Sequence, residues 1–105
     1  MSGKRILYAE DEITNRKIME IKCRKYGIEC ILVEDGRSAL DTCRREKFDA
    51  VILDQYMPGL NGDEVARELK KEGLDVPLLA ITSDDECISR LKSAGFDAVF
   101  VKPLR

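Results

Sequence analysis

Five short runs of apolar residues recur along the chain, separated by longer segments that mix apolar and charged positions. The runs are Ile6–Ala9, Cys30–Val33, Ala50–Leu53, Val76–Ile81 and Ala98–Val101. Each run is apolar throughout instead of alternating with polar residues, which is typical of strands buried on both faces of a parallel sheet. The pattern therefore predicts five parallel strands.

The segments between the runs have the spacing of amphipathic helices. In the first segment, Met19, Cys23 and Tyr26 fall on one helical face. Later segments repeat the spacing in the pairs Leu40 and Cys43, Val65 and Leu69, and Ile88 and Leu91. Three of the predicted helices should end at the glycines Gly27, Gly73 and Gly95. Strands and helices that alternate in this way predict one doubly wound α/β domain over residues 1–105.

Composition excludes several classes of function. The 105 residues are 44% hydrophobic and 36% charged, and the formal net charge of −2 is too balanced to indicate nucleic-acid binding. The chain has no histidine. Serine–histidine–aspartate catalysis, histidine-based metal sites and a role as a histidine phosphodonor are therefore excluded.

The cysteines and the N-terminal residues indicate the cellular compartment of the protein. The four cysteines, at positions 23, 30, 43 and 87, form no Cys-x-x-Cys pair, which argues against a zinc ribbon or a thioredoxin-type redox site. No signal peptide is recognisable, and no uncharged segment approaches the roughly 20 residues of a membrane helix. We expect a cytoplasmic protein with reduced thiols and no membrane contact.

Polar residues follow the predicted strands, at the edge where doubly wound sheets carry their functional groups. These residues are Glu10-Asp11-Glu12, Glu34-Asp35-Gly36, Asp54, Thr82-Ser83 and Lys102-Pro103. Each group alone has an ordinary structural explanation, as an acid at a helix start, a turn residue, a helix cap or a solvated lysine. The joint occurrence of four of these groups, all except Glu34-Asp35-Gly36, at successive strand ends favours a functional site.

The residue types at these strand ends fit phosphoryl transfer. Carboxylates gathered at one edge repel each other, and a divalent cation relieves that repulsion. Mg²⁺ suits oxygen ligands that leave positions for water and phosphate. Asp54 beside such a cation can accept a phosphoryl group, while Lys102 and Thr82 are available to stabilise its charge.

Four motifs go further, namely Glu10-Asp11, the segment Val51–Gly59 with its Asp-x-x-Met-Pro-Gly sequence, Ile81-Thr82 and Val101-Lys102-Pro103. Together they resemble the receiver domain of bacterial response regulators over nearly the whole chain. The resemblance implies a flavodoxin-like fold with strand order 2-1-3-4-5. It also implies a phosphodonor histidine on a histidine kinase or a histidine phosphotransfer protein.

The resemblance assigns roles to single residues. Asp54 matches the phosphoacceptor, Thr82 the hydroxyl that moves to the phosphoryl group, and Lys102 the cation of the site, usually joined by a cis bond to the following proline. The implied Mg²⁺ ligands are Glu10 (largely through water), Asp11, Asp54 and the backbone carbonyl of Tyr56. Glu34 and Asp35 match no functional position, so a turn at the sheet edge is expected there.

The chain departs from the family pattern in its last strand. An aromatic residue usually stands three positions before the lysine, where its rotation reports phosphorylation, but Val99 stands there in this chain. Phe100 is aromatic, yet strand alternation should direct it to the opposite side. We expect the movement of Thr82 to persist and the aromatic relay to be absent or replaced.

The chain also stops at Leu104-Arg105, where a receiver would begin its fifth helix. Either the chain is trimmed from a longer protein or it is a receiver without that helix. In both cases an apolar patch of several hundred Å² should be left open. Because Ile18 and Ile21 broaden the apolar stripe of the first helix, we expect homo-oligomers that form through this face.

The first helix also suggests how a partner binds. The predicted helix contains a single acidic residue, Glu20, but five basic residues: Arg16, Lys17, Lys22, Arg24 and Lys25. With the apolar flank beside them, they favour docking to the histidine-bearing helices of a kinase over nucleic acid. The leading interpretation is a self-phosphorylating switch without an external substrate. A pseudo-receiver that binds partners without phosphorylation is the alternative, while the acids of the first loop argue against flavin phosphate binding.

Overall fold

The computed structural model describes residues 3–102. Its core is a five-stranded parallel sheet in the order β2-β1-β3-β4-β5. The strands are β1 Arg5–Ala9, β2 Glu29–Val33, β3 Ala50–Asp54, β4 Leu78–Thr82 and β5 Ala98–Val101. The predicted parallel sheet and its strand order are confirmed.

Helices connect the strands as the spacing predicts. They are α1 Ile13–Lys25, α2 Gly36–Arg45, α3 Gly62–Lys71 and α4 Ile88–Ser93, with a 3₁₀ turn at Asp85–Cys87 before α4. Four α-helices in residues 3–102 agree with the expected lack of a fifth; the bond between Lys102 and Pro103 lies outside the described residues. No helix in this range has both the length and the apolar character to cross a membrane.

Two details of the prediction are wrong, the start of β4 and the position of Tyr26. β4 begins at Leu78 instead of Val76, because Pro77 has no N–H for the ladder and the Leu78 N–H donates to the Asp97 carboxylate at 2.8 Å. Tyr26 does not join the buried side of α1. The helix ends at Lys25, Gly27 follows with φ 69°, and the Tyr26 side chain is 70% exposed.

The two faces of the sheet differ. One face carries the main core, in which Leu7, Val51 and Leu78 pack with residues of α2, α3 and α4 and are excluded from solvent. The other face is covered by α1, which packs against β2. Side chains alternate along a strand, so Tyr8 and, after it, Glu10 are directed away from the main core.

The last strand shows the same alternation. Val99 packs against the main core, whereas Phe100 is 48% exposed. The two side chains therefore lie on opposite sides of β5, as predicted. All four cysteines are free thiols, with Cys23 and Cys87 buried and the other two half-buried.

Candidate functional site

The sheet register brings three carboxylates to one place. β1 and β3 are adjacent, with Ala9 opposite Leu53, so the residues that follow these partners are neighbours. Oxygens of Glu10, Asp11 and Asp54 all lie within 4.8 Å of one another. Glu10 is fully buried and Asp54 is 3% exposed, whereas Asp11 is exposed to solvent.

Lys102 supplies a cation to this cluster. Its Nζ lies 3.0 Å from Glu10 Oε1 and 3.1 Å from Asp54 Oδ2, and its backbone N–H donates to the Thr82 carbonyl at 2.7 Å. The backbone bond fixes the end of β5 beside β4, so the lysine enters the site from the sheet edge. One ammonium thus faces two buried carboxylates, which leaves a surplus of negative charge.

The pKa values of the two buried carboxyls shift in opposite directions. Burial, followed by the negative charge of Glu10, raises the pKa of Asp54 to about 7, although Lys102 opposes the shift. Burial acts in the same sense on Glu10, but donation from Lys102 and from the Glu12 N–H outweighs it and lowers the pKa of Glu10. Glu10 therefore stays ionised, and Asp54 is the carboxyl that is protonated more readily.

Glu10 is held by donors on both oxygens. The Tyr8 hydroxyl donates to Oε1 at 3.0 Å, and the Glu12 N–H donates to Oε2 at 3.2 Å. The Arg16 guanidinium donates to the Glu10 backbone carbonyl at 2.7 Å. Burial, then the charge of Glu10, raises the pKa of Tyr8, so its hydroxyl remains a donor.

Thr82 lies at the end of β4 with its hydroxyl already in use. Thr82 is fully buried; its Oγ1 accepts the Asp84 N–H at 3.1 Å and lies 3.5 Å from Cys87 Sγ. Asp84 in turn accepts the Glu86 N–H, which begins the 3₁₀ turn before α4. The threonine is therefore part of the turn that starts α4, so a movement of its hydroxyl toward another group would disturb that turn.

The loop after Asp54 is anchored by two buried contacts. Gln55 is 1% exposed and exchanges two hydrogen bonds with Asp63, one to its carboxylate at 3.1 Å and one from its N–H at 3.0 Å. A Cβ on Gly62 would stand 2.6 Å from the Asp54 carbonyl oxygen, so a side chain there would displace the loop. Farther along, the Tyr56 hydroxyl donates to the Asp84 carboxylate at 3.2 Å.

Comparison with known proteins identifies the family. The chain matches the family described as response regulator receiver domain over residues 6–105. The chain belongs to this family. The receiver is also 38% identical over 104 residues to the autoinducer 2 sensor kinase/phosphatase LuxQ of Vibrio cholerae serotype O1, a match that covers 96% of this chain and 12% of LuxQ. It therefore corresponds to a small part of that relative.

Two solved structures share the fold of the receiver. The response regulator TrrA of Thermotoga maritima, in complex with Mg²⁺-BeF, has a TM-score of 0.90 and 34% identity, over 97% of this chain and 89% of TrrA. The receiver domain of the Pseudomonas aeruginosa PAO1 sensor histidine kinase PA1611 has a TM-score of 0.90 and 30% identity, over 99% of this chain and 88% of that one. The PA1611 structure has a magnesium ion coordinated in its active-site cleft.

The residues of this receiver fit such an ion. Glu10, Asp11 and Asp54 offer carboxylate oxygens, which are the ligands that Mg²⁺ prefers. Two of the three are buried around a single lysine, so a divalent cation would relieve the negative charge of Glu10, which adds to burial in raising the pKa of Asp54.

The structure distributes the sequence-predicted residues unevenly. Glu10, Asp11, Asp54 and Lys102 form one cluster. Thr82 and Tyr56 border it and are linked through Asp84. The remaining predicted positions lie outside the cluster: Val99 against the main core, and Ile18 and Ile21 on α1 with 42% and 63% exposure. Asp35 caps α2 through the Ser38 N–H at 2.8 Å, a more definite role than the expected edge turn.

Two residues near the site were not predicted. Tyr8 lies inside a run that indicates only a buried strand, and its signal was the period of two that puts it on the same side of β1 as Glu10. Gln55 bonds to Asp63 on another element, and no local pattern marks that pairing.

Proposed function

We propose that this receiver accepts a phosphoryl group on Asp54 from a phosphohistidine of a histidine kinase or a phosphotransfer protein, with Mg²⁺ bound at the site. The observation that carries the proposal is the cluster of three carboxylates within 4.8 Å beside the single ammonium of Lys102. The magnesium in the related TrrA and PA1611 structures supports it. The only reaction proposed is the receiver's own phosphorylation and dephosphorylation.

The chain supplies the metal ligands and the nucleophile. Glu10, Asp11, Asp54 and the Tyr56 backbone carbonyl would hold Mg²⁺, which when bound neutralises charge on the phosphoryl oxygens. An Asp54 carboxylate oxygen forms the bond to phosphorus while the P–N bond to the donor imidazole breaks, and its electron pair stays on the ring nitrogen.

Lys102 and Thr82, the remaining donors of the site, respond to the charge of the phosphoryl group. Lys102 leaves Asp54 Oδ2 for a phosphoryl oxygen, and the Thr82 hydroxyl leaves the Asp84 N–H to donate to the phosphoryl group. The turn that starts α4 loses an anchor in that exchange, which shifts the population of its conformations. With Val99 in place of an aromatic residue, we propose that this turn transmits the signal alone.

The exposed side of α1 is our proposed docking surface for the kinase. Ile13 is 61% exposed and Ile21 63% exposed, and the same helix carries five basic residues. Arg16 is a poor residue to test docking because it also holds the Glu10 backbone. Lys17→Glu is the cleaner variant, and it should slow transfer from a phosphorylated kinase while leaving phosphorylation by acetyl phosphate unchanged.

We also propose that the receiver self-associates through the open part of the α1 side of the sheet. Phe100 on β5 is 48% exposed there, and Ile18 of α1 is 42% exposed. Light scattering over a hundredfold range of concentration should show assembly, which Phe100→Ser should weaken. A monomer at every concentration would contradict this.

The phosphorylation proposal is tested by intact mass after incubation with acetyl phosphate and Mg²⁺. We expect a gain of one phosphoryl group that requires both Mg²⁺ and Asp54, so Asp54→Asn and a sample with EDTA should show none. Folded wild-type protein without the gain would refute phosphoacceptor function.

A further inference from the structure

Tyr8 places a hydroxyl inside a strand whose other residues after Arg5 are aliphatic. The residue is 1% exposed, and its neighbours in β1 are Ile6, Leu7 and Ala9. Its hydroxyl reaches Glu10 Oε1 at 3.0 Å because residues two apart on a strand share a side. A phenylalanine would fill the same volume, so packing alone does not require the oxygen.

We propose that Tyr8 is a positioning residue that holds the Glu10 carboxylate ready for Mg²⁺. The inference rests on the proposed function, since it concerns the magnesium ligands of Asp54 phosphorylation. It assigns Tyr8 no contact with the metal or the phosphoryl group.

Tyr8 and Lys102 donate to the same oxygen of Glu10. Oε1 accepts from both Tyr8 and Lys102, each at 3.0 Å, while Oε2 accepts the Glu12 N–H at 3.2 Å. Lys102 is also bound to Asp54 at 3.1 Å, so it is divided between two carboxylates. Within residues 3–102, Tyr8 has no second acceptor, so its hydroxyl donates to Glu10 alone.

The hydroxyl matters most when Lys102 is drawn to another group. A cation near Asp54 repels the ammonium, and a phosphoryl group attracts it, so either event loosens its bond to Oε1. Because Glu10 is fully buried, a donor lost from Oε1 is costly to leave unreplaced. With Tyr8 in place, Oε1 keeps one donor and the carboxylate keeps its orientation. Partners of this kind typically change metal affinity on the order of 10- to 100-fold when removed.

The experiment compares Tyr8→Phe with wild type by isothermal titration of Mg²⁺, with thermal unfolding as a check on folding. We expect Mg²⁺ to bind about tenfold more weakly to the variant. With acetyl phosphate, the Mg²⁺ concentration that gives half-maximal phosphorylation should rise by the same factor, and the maximal rate should be unchanged. Tyr26→Phe is the matched control, because it removes the hydroxyl of a side chain that is 70% exposed.

A double-mutant cycle distinguishes positioning from packing. Glu10→Asp withdraws the carboxylate by one methylene from the hydroxyl, so Tyr8→Phe should have little further effect on Mg²⁺ affinity in that background. Equal Mg²⁺ affinity in wild type and Tyr8→Phe, or the same loss in both backgrounds, would overturn the inference. The proposed function fails separately, when wild type gains no phosphoryl mass, because the calorimetric comparison does not depend on that gain.

Discussion

The two ends of β1 carry matched sets of charges, three acids around one base. At the carboxyl end the set is Glu10, Asp11, Asp54 and Lys102. At the amino end it is Glu29, Glu46, Asp49 and Arg5, in which the Arg5 side chain pairs with both glutamates and its backbone N–H donates to the aspartate. Composition does not distinguish the two clusters, so their difference must come from their surroundings.

Burial is that difference. The Arg5 cluster lies at the surface, with side-chain exposures of 31% for Arg5 and 59% for Glu29. In the Lys102 cluster the corresponding values are 19% for Lys102 and 0% for Glu10. Water screens the excess negative charge at the amino end but has little access to the buried Glu10 and Asp54 at the carboxyl end. The same set of charges therefore forms ion pairs between elements at the amino end of β1. At the carboxyl end, where it is buried, it favours the binding of a further cation.

Removing the cation from each cluster should give the largest contrast. In Lys102→Met the buried Glu10 and Asp54 lose their shared partner, and we expect the free energy of unfolding without Mg²⁺ to fall by about 3 kcal/mol. Mg²⁺ should bind this variant more tightly than wild type, because it no longer competes with the ammonium. Urea unfolding with and without Mg²⁺ measures both effects.

The matched control is Arg5→Met at the other end of the strand. Its effect on unfolding should be well below that of Lys102→Met, since exposed ion pairs contribute little, and it should leave Mg²⁺ affinity unchanged. Equal destabilisation by the two variants would show that burial is not what separates the clusters.

Neutralising one acid of the buried cluster should stabilise the protein. The folded pKa of Asp54 is about 7 against an ordinary value of 3.8, so the folded state holds this proton where the unfolded state has lost it. The stability it contributes is present below pH 4 and is lost as the pH rises to 7. In EDTA, Asp54→Asn should therefore gain stability over wild type between pH 4 and 7, reaching on the order of 1–3 kcal/mol at pH 8.

Asp49→Asn in the exposed cluster is the comparison for that pH series. Solvent already screens this charge, so we expect no comparable gain on approach to pH 8. Thermal unfolding at four pH values in EDTA is sufficient. A gain for Asp54→Asn that stays flat from pH 4 to 8 would mean that the buried carboxyl does not set the pH dependence.

Sequence patterns predicted the buried cluster well because its members follow strands. Apolar runs without polar interruption predict the strands, and the parallel topology brings the carboxyl ends of these strands together. This reasoning placed Glu10, Asp54 and Lys102 close to one another, as the structure has them. The two details that were predicted wrongly, the start of β4 and the position of Tyr26, depend on the local backbone. Pro77 lacks the N–H that β4 would need two residues earlier, and α1 ends at Lys25, which leaves Tyr26 outside the helix.

Contacts between separate elements could not be predicted from the sequence, for a different reason. The pairing of Gln55 with Asp63 requires the loop after β3 to meet the start of α3 at a separation that only the folded chain sets. The exposed cluster was missed entirely, because Arg5 meets Glu29 and Glu46 from three elements and none of them follows a strand end. Buried charge at strand ends is thus predictable, whereas surface pairing is not.

The smallest expected effect belongs to that surface pairing. In Glu46→Gln the 2.7 Å ion pair with Arg5 is lost, and we expect a slight fall in the urea midpoint at low ionic strength. The difference from wild type should vanish at about 1 M NaCl, where the Debye length is about 3 Å. Since this cluster has no part in the proposed chemistry, Mg²⁺ affinity and phosphorylation by acetyl phosphate should match wild type at both salt concentrations. A change in either would mean that the two ends of β1 are coupled through the strand, so that the exposed charges tune the buried ones.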